Sequence, residues 1–142
     1  MDAEQRPIIV DTNILFSALV SGSSGITDVL FRSPRKFYVC EYVIVELFKH
    51  KNKLVKASHL SEEDLLRLLY LILKRVDVFK EDLIAVENRT AAYALCADID
   101  ESDTPHVALA LELKGLLWTG DKKLQRELRR KGFNEFFEPT LR

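Results

Sequence analysis

With 142 residues, 47% of them hydrophobic and 30% charged, the chain sits close to the average soluble domain, which excludes wholesale disorder and argues for one domain spanning residues 1–142. A chain of this length buries roughly two-thirds of the surface it exposes when unfolded, so neither a disulfide nor a structural metal is needed to hold it together. Lys plus Arg number 21 and Asp plus Glu 22, and a net charge of −1 neither marks nor excludes a nucleic-acid binder, because local patches decide that.

Pro7-Ile8-Ile9-Val10 is a short β-branched run, read as a strand buried on both faces and ending at Asp11. Residues 14–20 and 26–32 read as two helices parted by Ser21-Gly22-Ser23-Ser24-Gly25, a breaker cluster expected to form a flexible loop. Residues 36–40 are expected to form a second strand. From Glu41, the apolar spacing of Tyr42, Val43, Val45, Leu47 and Phe48 predicts a helix that runs out in Lys49-His50-Lys51-Asn52-Lys53. Ser61 with an acid three residues later, Asp64, has capping-box spacing and opens a leucine-rich helix over 65–73. A third strand follows at 76–79, then a helix over 83–96 and another over 105–114, with Pro105 in its first turn where a missing N–H does no harm. Leu116-Leu117-Trp118-Thr119 reads as a strand, Gly120-Asp121 turns into a basic helix over 122–131, and Phe136-Phe137 is expected to add an edge strand.

Strands separated by helical segments imply crossover connections and a central parallel sheet covered on both faces, a three-layer α/β/α sandwich. Cys40 and Cys96 form no CxxC or Cys/His cluster and read as reduced core thiols. No apolar run approaches the ~18 residues of a spanning helix, and the start, Met1-Asp2-Ala3-Glu4-Gln5-Arg6, lacks the basic-then-apolar order of a signal peptide. A cytoplasmic protein with no membrane contact is expected.

Ligands of open parallel sheets bind beyond the carboxyl ends of the strands, and two acids stand there: Asp11 after the first strand and Asp121 after Leu116-Leu117-Trp118-Thr119 with one glycine between. Asp103, ahead of Thr104-Pro105, puts a third carboxylate at a helix mouth on a loop over the same edge. Glu46 interrupts an apolar stretch, where a lone charge is costly unless it is paired, hydrogen-bonded or bound to a cation. Each has a plainer reading. Asp11, Asp103 and Asp121 suit helix N-caps, and Glu46 suits a partly exposed helical turn. If the four converge, their mutual repulsion calls for neutralisation by a cation. Hard oxygen donors without a His/Cys cluster point to Mg²⁺ or Mn²⁺, and the associated chemistry is phosphodiester hydrolysis by metal-activated water. The histidines, His50, His59 and His106, are too scattered to argue for general-base catalysis, and His106 reads as structural.

The anchors Ile8-Ile9-Val10-Asp11-Thr12-Asn13, Glu46, Asp103 followed by His106-Val107-Ala108-Leu109-Ala110, and Thr119-Gly120-Asp121-Lys122-Lys123-Leu124 stand in an order and at distances that resemble a PIN domain, the ribonuclease fold that includes VapC-type toxins. The resemblance covers nearly the whole chain. It implies that Asp11, Glu46, Asp103 and Asp121 form a catalytic, metal-binding acidic quartet, supported by Asn13 and Thr119. Asp100 rivals Asp103 in the acidic segment Asp98-Ile99-Asp100-Glu101-Ser102-Asp103 and would be a supporting residue or a further ligand. The resemblance also favours RNA as substrate, a homodimer, and a small antitoxin partner that masks apolar grooves and the acidic site.

Lys122, Lys123 and Arg126 lead the basic helix, continued by Arg129, Arg130 and Lys131 against Glu127, and Lys49, His50, Lys51, Lys53 and Lys56 form a second basic run. Such patches attract a nucleic-acid backbone without reading bases, although each would also suit a solvated helix face. The expected function is a Mg²⁺- or Mn²⁺-dependent endoribonuclease, to which the resemblance adds the role of toxin in a toxin–antitoxin pair. The alternatives are a non-catalytic RNA-binding or interaction module and, last, a phosphotransfer domain with Asp11 as nucleophile; Asn13 stands where the phosphatase version wants a second acid.

Overall fold

A computed structural model describes residues 5–22 and 25–141. Within them β1 (Ile8–Val10), β2 (Phe37–Cys40), β3 (Asp77–Phe79) and β4 (Leu116–Trp118) form one sheet in the order β3-β2-β1-β4. Every pairing is parallel: Ile9 lies beside Tyr38 on one side and Leu117 on the other, and Val10 beside Trp118. The β-branched run of β1 is fully buried, as a central strand covered on both faces must be. Because the strands are parallel and in register, Asp11, Cys40 and Thr119 are carried to the same edge of the sheet.

Helices complete a three-layer α/β/α sandwich. α7 (Thr104–Leu113) packs on β1, β2 and β4 and pairs with α6 (Val86–Cys96). α1 (Thr12–Ser21) is the hub of a second group, touching α2 (Gly25–Arg32), α3 (Glu41–Lys49), α4 (Lys51–Ala57) and α5 (Glu62–Arg75). α8 (Lys122–Arg130) buries Leu124, Gln125 and Leu128 and turns its charged side outward. The approach of α7 to the sheet requires Gly115, where an added Cβ would lie 2.4 Å from Ile9 Cδ1 and 2.7 Å from the Pro7 carbonyl.

Local signals placed most elements to within a few residues, and the departures have tertiary causes. The helix expected from residue 83 starts at Val86, after a single 3₁₀ turn at Glu81–Leu83. Ala85 offers no cap of its own. Glu112 of α7 supplies it, accepting from the Ala85 N–H at 2.6 Å and the Asn88 amide at 3.1 Å, and these donors hold its carboxyl below the usual range. The helix that starts at Glu41 ends at Lys49, inside the basic run as expected, but after a turn at His50, whose ring meets Phe16 edge-on, the rest of that run opens a further helix, α4.

Phe136-Phe137 forms no edge strand. Phe136 makes an isolated bridge with Leu117, and Pro139, which has no N–H to donate, follows too soon for a ladder to develop. Ser61 caps α5 as its spacing predicts, accepting from Asp64 N–H at 3.1 Å. In the expected loop 21–25, Gly22 takes φ 76° and closes α1, while residues 23–24 lie outside those described. Cys40 and Cys96 are free and buried, and burial pushes both thiols up to about 12. Among the described residues no single helix is long and apolar enough to cross a membrane.

Candidate metal centre

Asp11 occupies the N-cap position of α1 but does not cap it. Its carboxylate is 4% exposed and is spent on other partners. Oδ2 accepts from the Thr119 hydroxyl at 2.7 Å and from the Asn13 amide at 3.2 Å, and His106 Nε2 lies 3.3 Å from Oδ1. Asn13 in turn accepts from Gly120 N–H at 3.1 Å, and the buried Gln125 amide donates to the Thr119 carbonyl at 2.9 Å. The ends of β1 and β4 are thus laced together around one acid.

Asp103, at the mouth of α7, likewise does not cap its helix, and among the described residues no donor meets its carboxylate. Burial, followed by the charges of Asp11, Asp100, Asp121 and Glu46, pushes its carboxyl up to about 7. One ligand atom each from Asp11, Asp103 and His106 lie within 4.8 Å of one another. They face a cleft of about 160 Å³ also lined by Thr12, Asn13, Phe16, Glu46 and Ser102.

Glu46 is half-buried on α3 and accepts from the Thr12 hydroxyl at 2.8 Å. Its neighbours Val45 and Phe48 are 57% and 71% exposed, so the apolar stretch around it is not all core, and its cost is met by a hydrogen bond as well as by partial solvation.

Asp121 and Asp100 stand apart from this trio. Asp121 Oδ1 caps α8, accepting from Leu124 N–H at 3.0 Å, and the residue does not line the cleft; it acts on Asp103 through its charge. Asp100 is exposed and accepts from the Ser102 N–H and hydroxyl at 3.0 and 2.7 Å, which orders the loop ahead of Asp103. Asp98 pairs with Lys131, whose hydrogen bond lowers its carboxyl.

The donor set suits a hard dication: crowded carboxylates, one of them held above its ordinary range, around a space large enough for an ion and a few waters. Two residues at the cleft had been given no part in the site: Thr12, which stood only within the first anchor, and His106, which read as structural. His106 had a usable signal, since it stands three residues after Asp103 and so shares its side of a helix otherwise filled by Val107, Ala108, Leu109 and Ala110.

The basic helix divides in two. Arg129, Arg130 and Lys131 pair with Glu138, Glu127 and Asp98, whereas Lys122, Lys123 and Arg126, all exposed and at the end nearer Asp121, are in no ion pair among the described residues.

Solved structures of similar fold include a VapBC2 complex of Rickettsia felis bound to a DNA fragment from its promoter, at 17% identity and TM-score 0.61, covering 84% of this chain and 91% of that one. A DNA-bound VapBC of Salmonella typhimurium is similar at 18% identity and TM-score 0.65, covering 89% and 92%, and a protein of Pyrobaculum aerophilum at 13% and 0.61, covering 86% and 79%. No curated protein matches the sequence. The family model for the PIN domain matches residues 9–133, which runs from within β1 to beyond α8 and takes in every acid of the cleft, and the chain therefore belongs to the PIN domain family.

Proposed function

We propose that this protein is a divalent-cation-dependent endoribonuclease and the toxin half of a toxin–antitoxin pair. The observation that carries the nuclease reading is Asp103: a carboxylate that meets no donor among the described residues, pushed up to about 7 by burial and by the acids around it, is a charge the fold leaves to be compensated from outside. Asp11 and Asp103 would hold the cation, Mg²⁺ or Mn²⁺, with Glu46 and Asp121 deepening the negative potential. A cation bound there supplies a nucleophilic water at neutral pH and compensates charge developing on the phosphate.

The remaining work falls to the chain. Thr119 and Asn13 fix Asp11, and Thr12 fixes Glu46, so the acids need not reorganise as charge shifts in the reaction. Lys122, Lys123 and Arg126 would draw the phosphate backbone toward the strand ends, reading charge and not sequence.

A partner protein is supported by a different surface. On α5, Leu65 and Ile72 are buried while Leu66, Tyr70 and Leu71 are 44%, 60% and 47% exposed, so this helix is not sandwiched inside the monomer. With Phe48 and Val55 it borders an apolar groove of about 100 Å³, a feature more often covered than left to water. The VapBC neighbours are toxin–antitoxin complexes, and an antitoxin or a second copy of this chain would cover such a face.

The test is cleavage of single-stranded RNA by the purified protein with Mg²⁺ or Mn²⁺, lost with EDTA and lost in Asp11→Asn. RNA binding that ignores EDTA, with no cleavage under either cation, would replace the nuclease with a binding module.

A further inference from the structure

We propose that His106 is a positioning residue for Asp11: its Nε2–H holds the Asp11 Oδ1 oxygen at the wall of the cleft, and the imidazole does not itself ligate the cation. The proposal rests on the reading that this cleft receives a divalent ion.

His106 is 2% exposed, and its Nε2 lies 3.3 Å from Asp11 Oδ1 and 3.5 Å from Thr12 Oγ. A carboxylate only accepts hydrogen bonds. The single hydroxyl proton of Thr12 is committed to Glu46 at 2.8 Å, so toward the imidazole Thr12 offers only a lone pair. Two acceptors facing one nitrogen place the proton on that nitrogen.

The other side of the ring agrees. Nδ1 lies 3.6 Å from Cys40 Sγ. Burial keeps that thiol protonated, as its value of about 12 indicates, so it is a weak S–H donor toward a bare Nδ1. The sense of the chain is therefore Cys40 S–H to Nδ1, then Nε2–H to Asp11. The opposite tautomer would set a lone pair against a carboxylate and leave Nδ1–H facing a sulfur, whereas a metal-bound histidine ordinarily gives its second N–H to a carboxylate, a carbonyl or water.

With His106 on Oδ1 and with Thr119 and Asn13 on Oδ2, both oxygens of Asp11 are held and the carboxylate cannot swing away from the cleft. The orientation of one ligand is then set before any ion arrives, which is how such outer contacts raise metal affinity.

¹⁵N NMR of the metal-free wild-type protein reads the tautomer without any substitution: a protonated Nε2 and a bare Nδ1 are expected, and the reverse overturns the proposal. Mn²⁺ titration then separates positioning from ligation. His106→Gln keeps an N–H donor at a similar reach and is expected to bind Mn²⁺ close to wild type; His106→Phe keeps the volume, loses the donor and is expected to bind about 10- to 100-fold more weakly. Directly bonded ¹⁴N coupling in the spin-echo spectrum of Mn²⁺-loaded wild type, or equal affinity in His106→Phe and wild type, overturns it. Wild-type protein that shows the Nε2–H tautomer and the expected affinity ladder yet leaves RNA intact overturns the nuclease reading alone.

Discussion

Asp11 and Asp103 face one cleft, each at the N-terminal position of a helix it does not cap, yet their surroundings are opposite. The more deeply buried of the two, Asp11, is ringed by Thr119, Asn13 and His106, while Asp103 meets no donor among the described residues and is pushed up to about 7. Burial alone therefore does not decide how a carboxylate behaves. Donors aimed at an acid compensate its lost hydration, and where they are missing the charge becomes a load that a proton or a cation must carry. One acid is built as a fixed anchor and the other as a charge in waiting.

The comparison is broken most forcibly at the anchor. Asp11→Asn keeps the size of the side chain and removes the charge; RNA cleavage is expected to fall by about 10³-fold or more, because charge compensation at a reacting phosphate is worth several kcal/mol at about 1.4 kcal/mol per decade. A cleavage assay alongside circular dichroism checks this, and near-wild-type cleavage would remove Asp11 from the site.

At Asp103 the decisive variable is pH. Its carboxyl sits at about 7 in the folded chain against 3.8 in the ordinary range, so between these values the folded state holds the proton that the unfolded state has released. Stability of the metal-free protein should therefore fall as pH rises from about 4 to about 7, and level off above, by up to a few kcal/mol. Asp103→Asn should flatten that fall in urea titrations across the range. Mn²⁺, which competes with the proton, should raise the Tm of wild type more at pH 8 than at pH 5 and do little for the variant. A wild-type profile without slope over this interval would mean that Asp103 is not loaded as described.

Smaller effects sharpen the contrast between the charges proposed to draw RNA in and those proposed to act on it. Replacing Lys122, Lys123 and Arg126 together by Ala should weaken RNA binding and reduce the slope of log affinity against log salt by about 2, at about 0.7 per phosphate contact on a single strand. Replacing Arg129 and Arg130, already paired with Glu138 and Glu127, should change that slope little. Smallest is Asp121→Ala, expected to cost about 1 kcal/mol of stability through the lost cap of α8 and to lower cleavage less than Asp11→Asn. Equal loss of cleavage in the two would promote Asp121 from capping to direct work at the cleft.

How much of this could be read along the chain depended on how local the cause was. The Ser61 cap, the strand of Ile8–Val10 and the helix opened by Pro105 follow from interactions between residues a few positions apart, and they stand where patterning put them. The start of α6 did not, because its cap is Glu112, reached across the fold. The site divides in the same way. That Asp11 and Asp121 follow strands was visible, but that Asp121 spends an oxygen on its own helix while Asp11 spends none was not.

Alternation of apolar runs and breakers determined, by itself, a parallel α/β sandwich with acids at the carboxyl edge of its sheet, because strand and helix periodicity and crossover handedness are properties of short stretches. Only the tertiary structure decided which acids share a cleft, which carry donors, and that His106 of a buried helix turns a nitrogen on Asp11. Desolvation and Coulomb fields sum over neighbours distant in sequence, and no window along the chain contains them.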